Sequence, residues 1–162
     1  MASNHFNSTD DVRMVDVSAK QVTLRAAKAE AFILVNSETA AAIRGGSGRK
    51  GDVLQVARIA AIGGVKLTPQ LIPLCHPLPV EGVDVRCEWY DNRRLRIEVE
   101  VRTIGRTGVE MEALTGAATA ALTVYDMCKS LQRDIELGPI RLVAKSGGQS
   151  GDYQRTEEST NG

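Results

Sequence analysis

The amino-acid sequence predicts an α+β domain built on a mostly antiparallel sheet. Residues 83–102 alternate apolar and polar side chains on both sides of a turn at Asp91 and Asn92, which is typical of a hairpin with one buried face. Residues 53–65 and 112–130 repeat apolar side chains at helical spacing. Because hairpin strands and separate helices follow one another along the chain, we expect the helices to cover one face of the sheet.

Composition limits the class of protein. The chain has 162 residues, enough for one domain with a substantial core, and its zero net charge and 4% aromatic content disfavour a nucleic-acid-binding surface. The chain has an odd number of cysteines, Cys75, Cys87 and Cys128, and none of them form a C-x-x-C pair. A disulfide framework is therefore not expected, which indicates a reducing compartment. The sequence shows neither a signal-peptide pattern nor an apolar run of about 20 residues. We therefore expect a cytoplasmic protein that contacts neither membrane nor nucleic acid.

The N-terminal third predicts two strands and a short helix. Residues 1–12 and 152–162 are polar and are expected to be flexible tails around a single domain at residues 13–151. Strands are predicted over residues 14–17 and 29–35. A short helix should follow: Ser37 caps its start, Arg44 lies in its last turn, and Gly45 ends it.

The loop RGGSGRKGD (44–52) precedes the next helix. Asp52 is a good cap for that helix, and Thr68 and Pro69 predict a further short helical turn. The residues expected on one helix face are Val53, Val56, Ala57, Ala60 and Gly64. Glycines and the cations Arg44, Arg49 and Lys50 before a helix N-terminus suit a phosphate cradle, but a solvated turn is the commoner role of such a loop. It is not a Walker A loop, because the lysine precedes the last glycine.

The stretch LIPLCHPLPV (71–80) combines apolar residues with three prolines. Proline lacks an N–H and has a fixed φ, so the stretch can be neither a helix interior nor a central strand. We predict a rigid, apolar-walled loop that holds Cys75 and His76 in one orientation. No metal site is expected here, because adjacent ligands are awkward and the domain offers no second Cys or His cluster. His76 is instead expected to hydrogen-bond a ligand or a neighbour.

The last helix carries two groups of charged residues with open roles. Glu110 fits a capping box with Thr107, but Glu110 and Glu112 could also accept the N–H groups of a purine or pterin. Asp126 and Lys129 share a helix face, either as an exposed ion pair or as a buried pair in which Asp126 tunes Lys129 as a proton donor. The predicted core stripe consists of Met111, Leu114, Ala118, Ala121, Tyr125 and Cys128. With a last strand over residues 141–144, the elements favour a ferredoxin-like sandwich.

Six motifs in order resemble one known family. They are MVDVSAK (14–20), KGDV (50–53), LIPLCHPLPV (71–80), TGVEMEALTGA (107–117), YDMCKS (125–130) and GPIRLVAKSGGQSGD (138–152). Together they resemble cyclic pyranopterin monophosphate synthase, the molybdenum cofactor biosynthesis protein C family, over residues 13–153.

The resemblance implies a ferredoxin-like lyase of the phosphorus–oxygen type. Such an enzyme converts 3′,8-cyclo-7,8-dihydro-GTP into cyclic pyranopterin monophosphate and releases pyrophosphate. It implies no cofactor beyond a Mg²⁺ ion that could accompany pyrophosphate, and a homohexamer, a trimer of dimers with sites at the dimer interface. A non-catalytic oligomeric scaffold that binds a nucleotide or pterin is the alternative from another class.

Site residues follow from the resemblance by position. The implied catalytic group is Asp126, Lys129 and Lys50. The implied substrate-binding residues are Leu74, Cys75, His76, Glu110, Met111, Glu112, Arg25, Lys66 and Lys145. Several cations suit a triphosphate, and a lysine crowded by other cations is expected to have a lowered pKa.

Overall fold

The computed structural model describes residues 11–46 and 51–156. Within these ranges the elements are β1 (Thr23–Leu34), α1 (Ser37–Arg44), α2 (Val53–Leu71), β2 (Gly82–Trp89), β3 (Arg94–Gly105), α3 (Glu110–Cys128), β4 (Glu136–Ser146) and β5 (Tyr153–Gln154). No helix in the described ranges is long and apolar enough to cross a membrane.

The sheet has the strand order β2-β3-β1-β4-β5, and every neighbouring pair is antiparallel. α3 packs on β1, β3 and β4, while α2 packs on α3 and on β2. The first four strands and the helices between them follow the ferredoxin-like βαββαβ order. The predicted α+β sandwich is therefore confirmed.

Alternation along the central strands creates the core. In β3 the apolar residues Ile97 and Val99 are fully buried, and Val99 lies opposite Val85 of β2, as the predicted hairpin requires. β1 contributes mostly small side chains to the same face, including Ala29 and Ala31, both fully buried. Small residues on the sheet let α3 approach closely, so the start of α3 has a well-defined position over the sheet.

The N-terminal part differs from the prediction in two places. Residues 14–17 form no strand, because their hydrogen bonds are local: the Lys20 N–H donates to the Val17 carbonyl at 3.0 Å. The first strand begins at Thr23 rather than at residue 29, since pairing with β3 starts at Thr23 opposite Gly105. The side chain that caps α1 belongs to Asn36 rather than Ser37, and it accepts the Thr39 N–H at 2.8 Å.

α2 is longer than its pattern predicts. Asp52 caps it as expected, since its carboxylate accepts the N–H groups of Leu54 and Gln55. The helix then continues to Leu71 with Pro69 inside it, instead of ending near Val65. Proline is tolerated there because it lies close to the C-terminus, where the Ile72 N–H still bonds to Thr68. On the predicted apolar face, Val53, Ala57 and Gly64 are buried, whereas Ala60 is half-buried and Val56 is exposed. The other buried positions of the helix are Ala61, Val65 and Thr68.

α3 is rotated relative to its predicted core stripe. Ala121 and Cys128 are buried as expected, but Met111, Leu114, Ala118 and Tyr125 are only half-buried. The other buried positions are Glu112, Ala113, Gly116, Ala117, Ala120 and Val124. The helix turns its small residues inward because it packs between the sheet and α2. The predicted capping box is also wrong: Val109 is the N-cap, and no side chain caps the helix.

Candidate functional site

Two adjoining clefts lie at the N-terminal end of α3. The first has a volume of about 360 Å³ and is bounded by the proline loop and the start of α3. It brings together five residues predicted for substrate binding, namely Leu74, Cys75, His76, Glu110 and Met111. The proline loop thus forms one wall of a cleft, as its composition predicts.

The second cleft, of about 490 Å³, lies between α2 and the start of β2. It is lined by Lys66 and Glu112, two further predicted site residues, and by apolar side chains that include Val65 and Val80. Leu78 lines both clefts, so a single extended ligand could occupy them together. Apolar walls with a few convergent polar groups are typical of small-molecule sites.

Glu112 is the most unusual residue of the second cleft. Its side chain is only 2% exposed, and neither carboxylate oxygen has a hydrogen-bond partner within the described structure. Burial is the main cause that raises the pKa of Glu112; the residue's own backbone N–H opposes this shift, and the nearby charge of Glu110 adds to it. Two buried carboxylate oxygens without hydrogen-bond donors cost folding free energy. A ligand with two N–H groups would supply the missing donors.

Glu110 is in a different environment from Glu112 although it lies only two residues away. Its carboxylate lies 3.3 Å from the ammonium of Lys145 on β4, whose Nζ also donates to the Ser150 hydroxyl at 2.9 Å. Lys145 therefore lies beside the first cleft, because it is paired with Glu110, which lines that cleft. In a helix, residues two apart point to different sides, which explains the separation.

Cys75 belongs to the wall rather than to any nucleophilic pair. Burial raises the pKa of its thiol, and the charges of Glu112 and Glu110 raise it further. A thiol that stays protonated is a poor nucleophile and a poor metal ligand. Among the described residues, no three His, Cys, Asp or Glu side chains cluster as a metal site would require.

Arg25 lines neither cleft. It is 8% exposed, and its Nε and one terminal nitrogen each donate at 3.0 Å to consecutive carbonyls, those of Gly105 and Arg106. A Cβ added to Gly148, which has a φ of +82°, would collide with the same guanidinium. The structure places Arg25 beneath the loop that leads into α3, where it holds the backbone of the cleft.

Asp126 and Lys129 form an exposed ion pair in the isolated chain. The Lys129 Nζ lies 2.6 Å from an Asp126 carboxylate oxygen, and the two side chains are 53% and 60% exposed, respectively. The hydrogen bond and charge of Asp126 raise the pKa of Lys129. The lowered pKa expected for a lysine crowded by cations is therefore wrong for this chain by itself, because its one close charged partner in the described structure is an anion.

The proposed catalytic pair and the residues predicted for substrate binding lie at opposite ends of α3. Nineteen positions separate Glu110 from Lys129, which corresponds to about 28 Å along a helix. One chain therefore does not bring Lys129 to the clefts that hold His76 and Glu112. Lys50, the third predicted catalytic residue, lies outside the described residues, as does Arg49.

One wall of the first cleft was not anticipated. Val15, Val17 and Lys20 line it from the segment that precedes β1. The alternation of Val15 and Val17 indicated an apolar face, but it predicted a strand rather than a cleft wall. That Lys20 lines the same cleft as the proline loop follows from tertiary folding alone.

Fold and site together define a class: a ferredoxin-like α+β protein with two apolar-walled clefts, of the kind that suits small molecules, at the N-terminal end of its last long helix. A comparison with known families identifies it more closely. The chain matches the model of the MoaC family over residues 14–148 and belongs to that family. Membership of this family places the chain in molybdenum cofactor biosynthesis.

Proposed function

We propose that this chain is a cyclic pyranopterin monophosphate synthase, which converts 3′,8-cyclo-7,8-dihydro-GTP into cyclic pyranopterin monophosphate and pyrophosphate. Membership of the MoaC family supports the reaction class. The observation that carries the proposal is the buried, unpartnered carboxylate of Glu112 in the second of the two apolar-walled clefts.

Glu112 has the chemistry needed to recognise a base derived from guanine. The edge of such a base presents a ring N–H beside an exocyclic amino group, and an ionised carboxylate can accept both hydrogen bonds. The ligand would then supply the donors that Glu112 lacks in the free protein. Apolar side chains of the same cleft, such as Val65, Leu78 and Val80, would cover the remaining surface of the ring system.

Asp126, Lys129 and Lys50 are the proposed catalytic residues. Because its pKa is raised, Lys129 is protonated at neutral pH and would enter the reaction as a proton donor or a counter-charge. In the phosphate step, a ribose hydroxyl loses its proton and bonds to the α-phosphorus while the bond from that phosphorus to the bridging oxygen breaks. Pyrophosphate leaves with those electrons, and nearby cations stabilise the charge that develops on it.

The separation of about 28 Å along α3 means that such a site needs a second copy of the chain. We propose a homo-oligomer, a hexamer of three dimers, in which one protomer supplies Asp126 and Lys129 to the clefts of its partner. Leu122 lies one turn before Asp126 on the same helix face and is 60% exposed. On α2, Ile59 is 71% exposed. Exposed apolar residues beside a charged pair suit a protomer contact.

Mixing two inactive variants tests the shared site. His76→Ala removes a binding residue from one set of clefts, and Lys129→Ala removes the proposed catalytic lysine from the other protomer. After the two proteins are unfolded and refolded together, a mixed dimer retains one site with both residues intact. We expect each variant alone to be inactive and the mixture to recover about a quarter of wild-type activity. Failure of the mixture, with assembly shown by sizing, would place both residues in one chain.

A non-catalytic scaffold that binds a nucleotide or pterin remains the second candidate. The exposed position of Lys129 and its raised pKa favour it, since a scaffold needs no poised lysine. A scaffold would bind the cyclised nucleotide and return it unchanged, whereas the synthase releases pyrophosphate. Pyrophosphate release therefore separates the two functions.

A further inference from the structure

β2 is an open edge of the sheet. It pairs with β3 on one side only, whereas β5 covers part of β4 on the other side of the sheet. Among the described residues, β3 alone exchanges backbone hydrogen bonds with β2. The strand Gly82–Trp89 contains no proline and no lysine, and its pairing with β3 runs without a register shift. Edge strands usually carry such features to prevent association, so this unprotected edge suits a partner strand.

The free backbone groups of β2 belong to every second residue. The Tyr90 N–H donates to the Arg94 carbonyl at 2.8 Å, and the same register continues into the strand. In an antiparallel pair, residues alternate between exchanging both hydrogen bonds with their partner and pointing both groups away from it. Val85, Cys87 and Trp89 therefore direct their N–H and carbonyl groups to the open edge.

The core face of β2 is incompletely covered. On β3, Ile97 and Val99 are fully buried. Their partners on β2, Cys87 and Val85, are only half-buried. Apolar surface at the margin of the core favours an association that removes it from water. A second strand beside β2 would extend the core as well as the hydrogen-bond ladder.

The charges on the other face of β2 indicate which strand fits. Arg86 and Glu88 are exposed, and neither makes an ion pair within the described part of the chain. A second copy of the chain, related by a two-fold axis at Cys87, would place Arg86 of each copy opposite Glu88 of the other. Opposite charges in such cross-strand pairs are favourable. The edge is therefore complementary to itself.

Neighbouring registers of the same pairing fit less well. A two-fold axis at Arg86 would place Arg86 opposite itself and Asp84 opposite Glu88, and like charges directly opposite are unfavourable. An axis at Val85 would place Arg86 opposite Asp84, which Arg102 already holds at 2.6 Å. It would also leave Glu88 opposite Gly82. The axis at Cys87 is the register that uses both free charges.

We propose that the β2 edges of two chains pair across a two-fold axis at Cys87. The contact would join two sheets into one of ten strands, five from each chain. It is distinct from the α3 contact proposed above, which shares the catalytic residues. Two different two-fold contacts that alternate around a ring close it at an even number of chains, so together they would build a hexamer from three dimers.

Mixing two charge-reversed chains tests the pairing. Glu88→Arg leaves two positive charges at positions 86 and 88, and Arg86→Glu leaves two negative ones, so each variant should repel its own copies. We expect the wild type to sediment as hexamers and each variant as dimers, with hexamer formation weakened by about tenfold or more. When the two variants are unfolded and refolded together, chains that alternate around the ring meet opposite charges, and hexamers should return.

Two further variants separate pairing from general effects. Glu38→Arg reverses a negative charge at the exposed start of α1, outside the sheet, and should leave sedimentation unchanged. Glu88→Gln removes the attraction without adding repulsion, so it should weaken the hexamer by a smaller factor. Circular dichroism should show that all variants fold. A folding defect would persist in the mixture, whereas a repulsion between copies would disappear there.

Disulfide formation reports the register. With the axis at Cys87, positions 86 and 88 of different copies form a non-hydrogen-bonded pair, whose Cα atoms lie about 4.5 Å apart and within reach of a disulfide. In a Cys87→Ser background, a mixture of Arg86→Cys and Glu88→Cys should therefore give a reducible dimer on mild oxidation. Either variant alone should not, because its new thiols lie diagonally across the axis.

These measurements use no substrate, so they are independent of the proposed function. Charge-reversed variants that sediment like the wild type, or a mixture no larger than its components, would overturn the β2 contact even in an active enzyme. Recovery of hexamers in the mixture, together with the specific disulfide, would support the contact even in a chain that leaves the nucleotide unchanged.

Discussion

The ammonium of Lys129 lies 2.6 Å from the carboxylate of Asp126, one turn earlier at the end of α3. This contact raises the pKa of Lys129, mainly through the hydrogen bond and also through the opposite charge. Asp126→Asn should therefore lower the Lys129 pKa towards its ordinary value. Titration of labelled lysine by NMR measures the change. Glu38→Gln is the control: it removes a negative charge at the exposed start of α1 and should leave the Lys129 pKa unchanged. If Asp126→Asn also left the Lys129 pKa unaltered, the ion pair would not form in solution.

Substitutions of Lys129 separate its two possible roles. If Lys129 donates a proton, both Lys129→Ala and Lys129→Arg should reduce kcat by about 10²- to 10⁴-fold, because guanidinium keeps the charge but does not release a proton near neutral pH. Circular dichroism and sizing should show an intact fold and assembly. Near-wild-type turnover of the Arg variant would make Lys129 a counter-charge and transfer the donor assignment to Lys50.

The buried carboxyl group of Glu112 predicts a pH-dependent stability. Its pKa is raised in the folded state, so below the unfolded value of about 4.5 the wild type carries no penalty from this group. As the pH rises through the folded pKa, the group must ionise in a buried site and the free energy of unfolding falls. Glu112→Gln should thus match the wild type at low pH and be at least about 1 kcal/mol more stable at pH 8.

Urea unfolding at a fixed protein concentration measures this difference for Glu112→Gln. Glu110→Gln provides the matched control, because Glu110 is partly exposed and paired with Lys145. It should show no gain at pH 8. A Glu112→Gln variant that is destabilised equally at both pH values would contradict an unpartnered carboxylate.

Adjacent glycines in α2 should respond oppositely to alanine. A Cβ on Gly64 would lie 2.5 Å from the Thr119 hydroxyl and 3.1 Å from the Thr115 carbonyl, so Gly64→Ala should cost about 1–3 kcal/mol by forcing α2 and α3 apart. Gly63 has nothing within 4 Å of its added Cβ, so Gly63→Ala should add about 0.5–1 kcal/mol through helix propensity. Thermal or urea unfolding of both variants checks the prediction. Equal effects would mean that the two helices do not approach closely at Gly64.

Much of the fold can be predicted from local sequence patterns, because the apolar positions of most elements are the positions that they bury. The alternation over residues 83–102 predicts the hairpin, and Asp52 predicts the start of α2. The apolar pattern does not predict which face of α3 is buried. Alanine and glycine are its most buried residues, and a hydrophobic pattern weighted to Leu and Met therefore points to the wrong side of the helix.

The site is only partly predictable for a similar reason. The three prolines of the stretch at residues 71–80 predict a rigid wall, and the structure places Cys75 and His76 in that wall. The burial of Glu112 and the position of Lys20 in the first cleft depend on contacts between distant segments. Sequence spacing also does not predict that Lys129 and the cleft containing His76 lie at opposite ends of α3, since that separation is set by the length of the helix.

The most direct test of the proposed function is the fate of 3′,8-cyclo-7,8-dihydro-GTP incubated with the purified, assembled chain. We predict one pyrophosphate released for each cyclic pyranopterin monophosphate formed, with no product when the proposed binding residue His76 or the proposed catalytic residue Lys129 is replaced by alanine. Stoichiometric binding followed by recovery of the unchanged nucleotide would contradict the synthase and identify the chain as a binding scaffold.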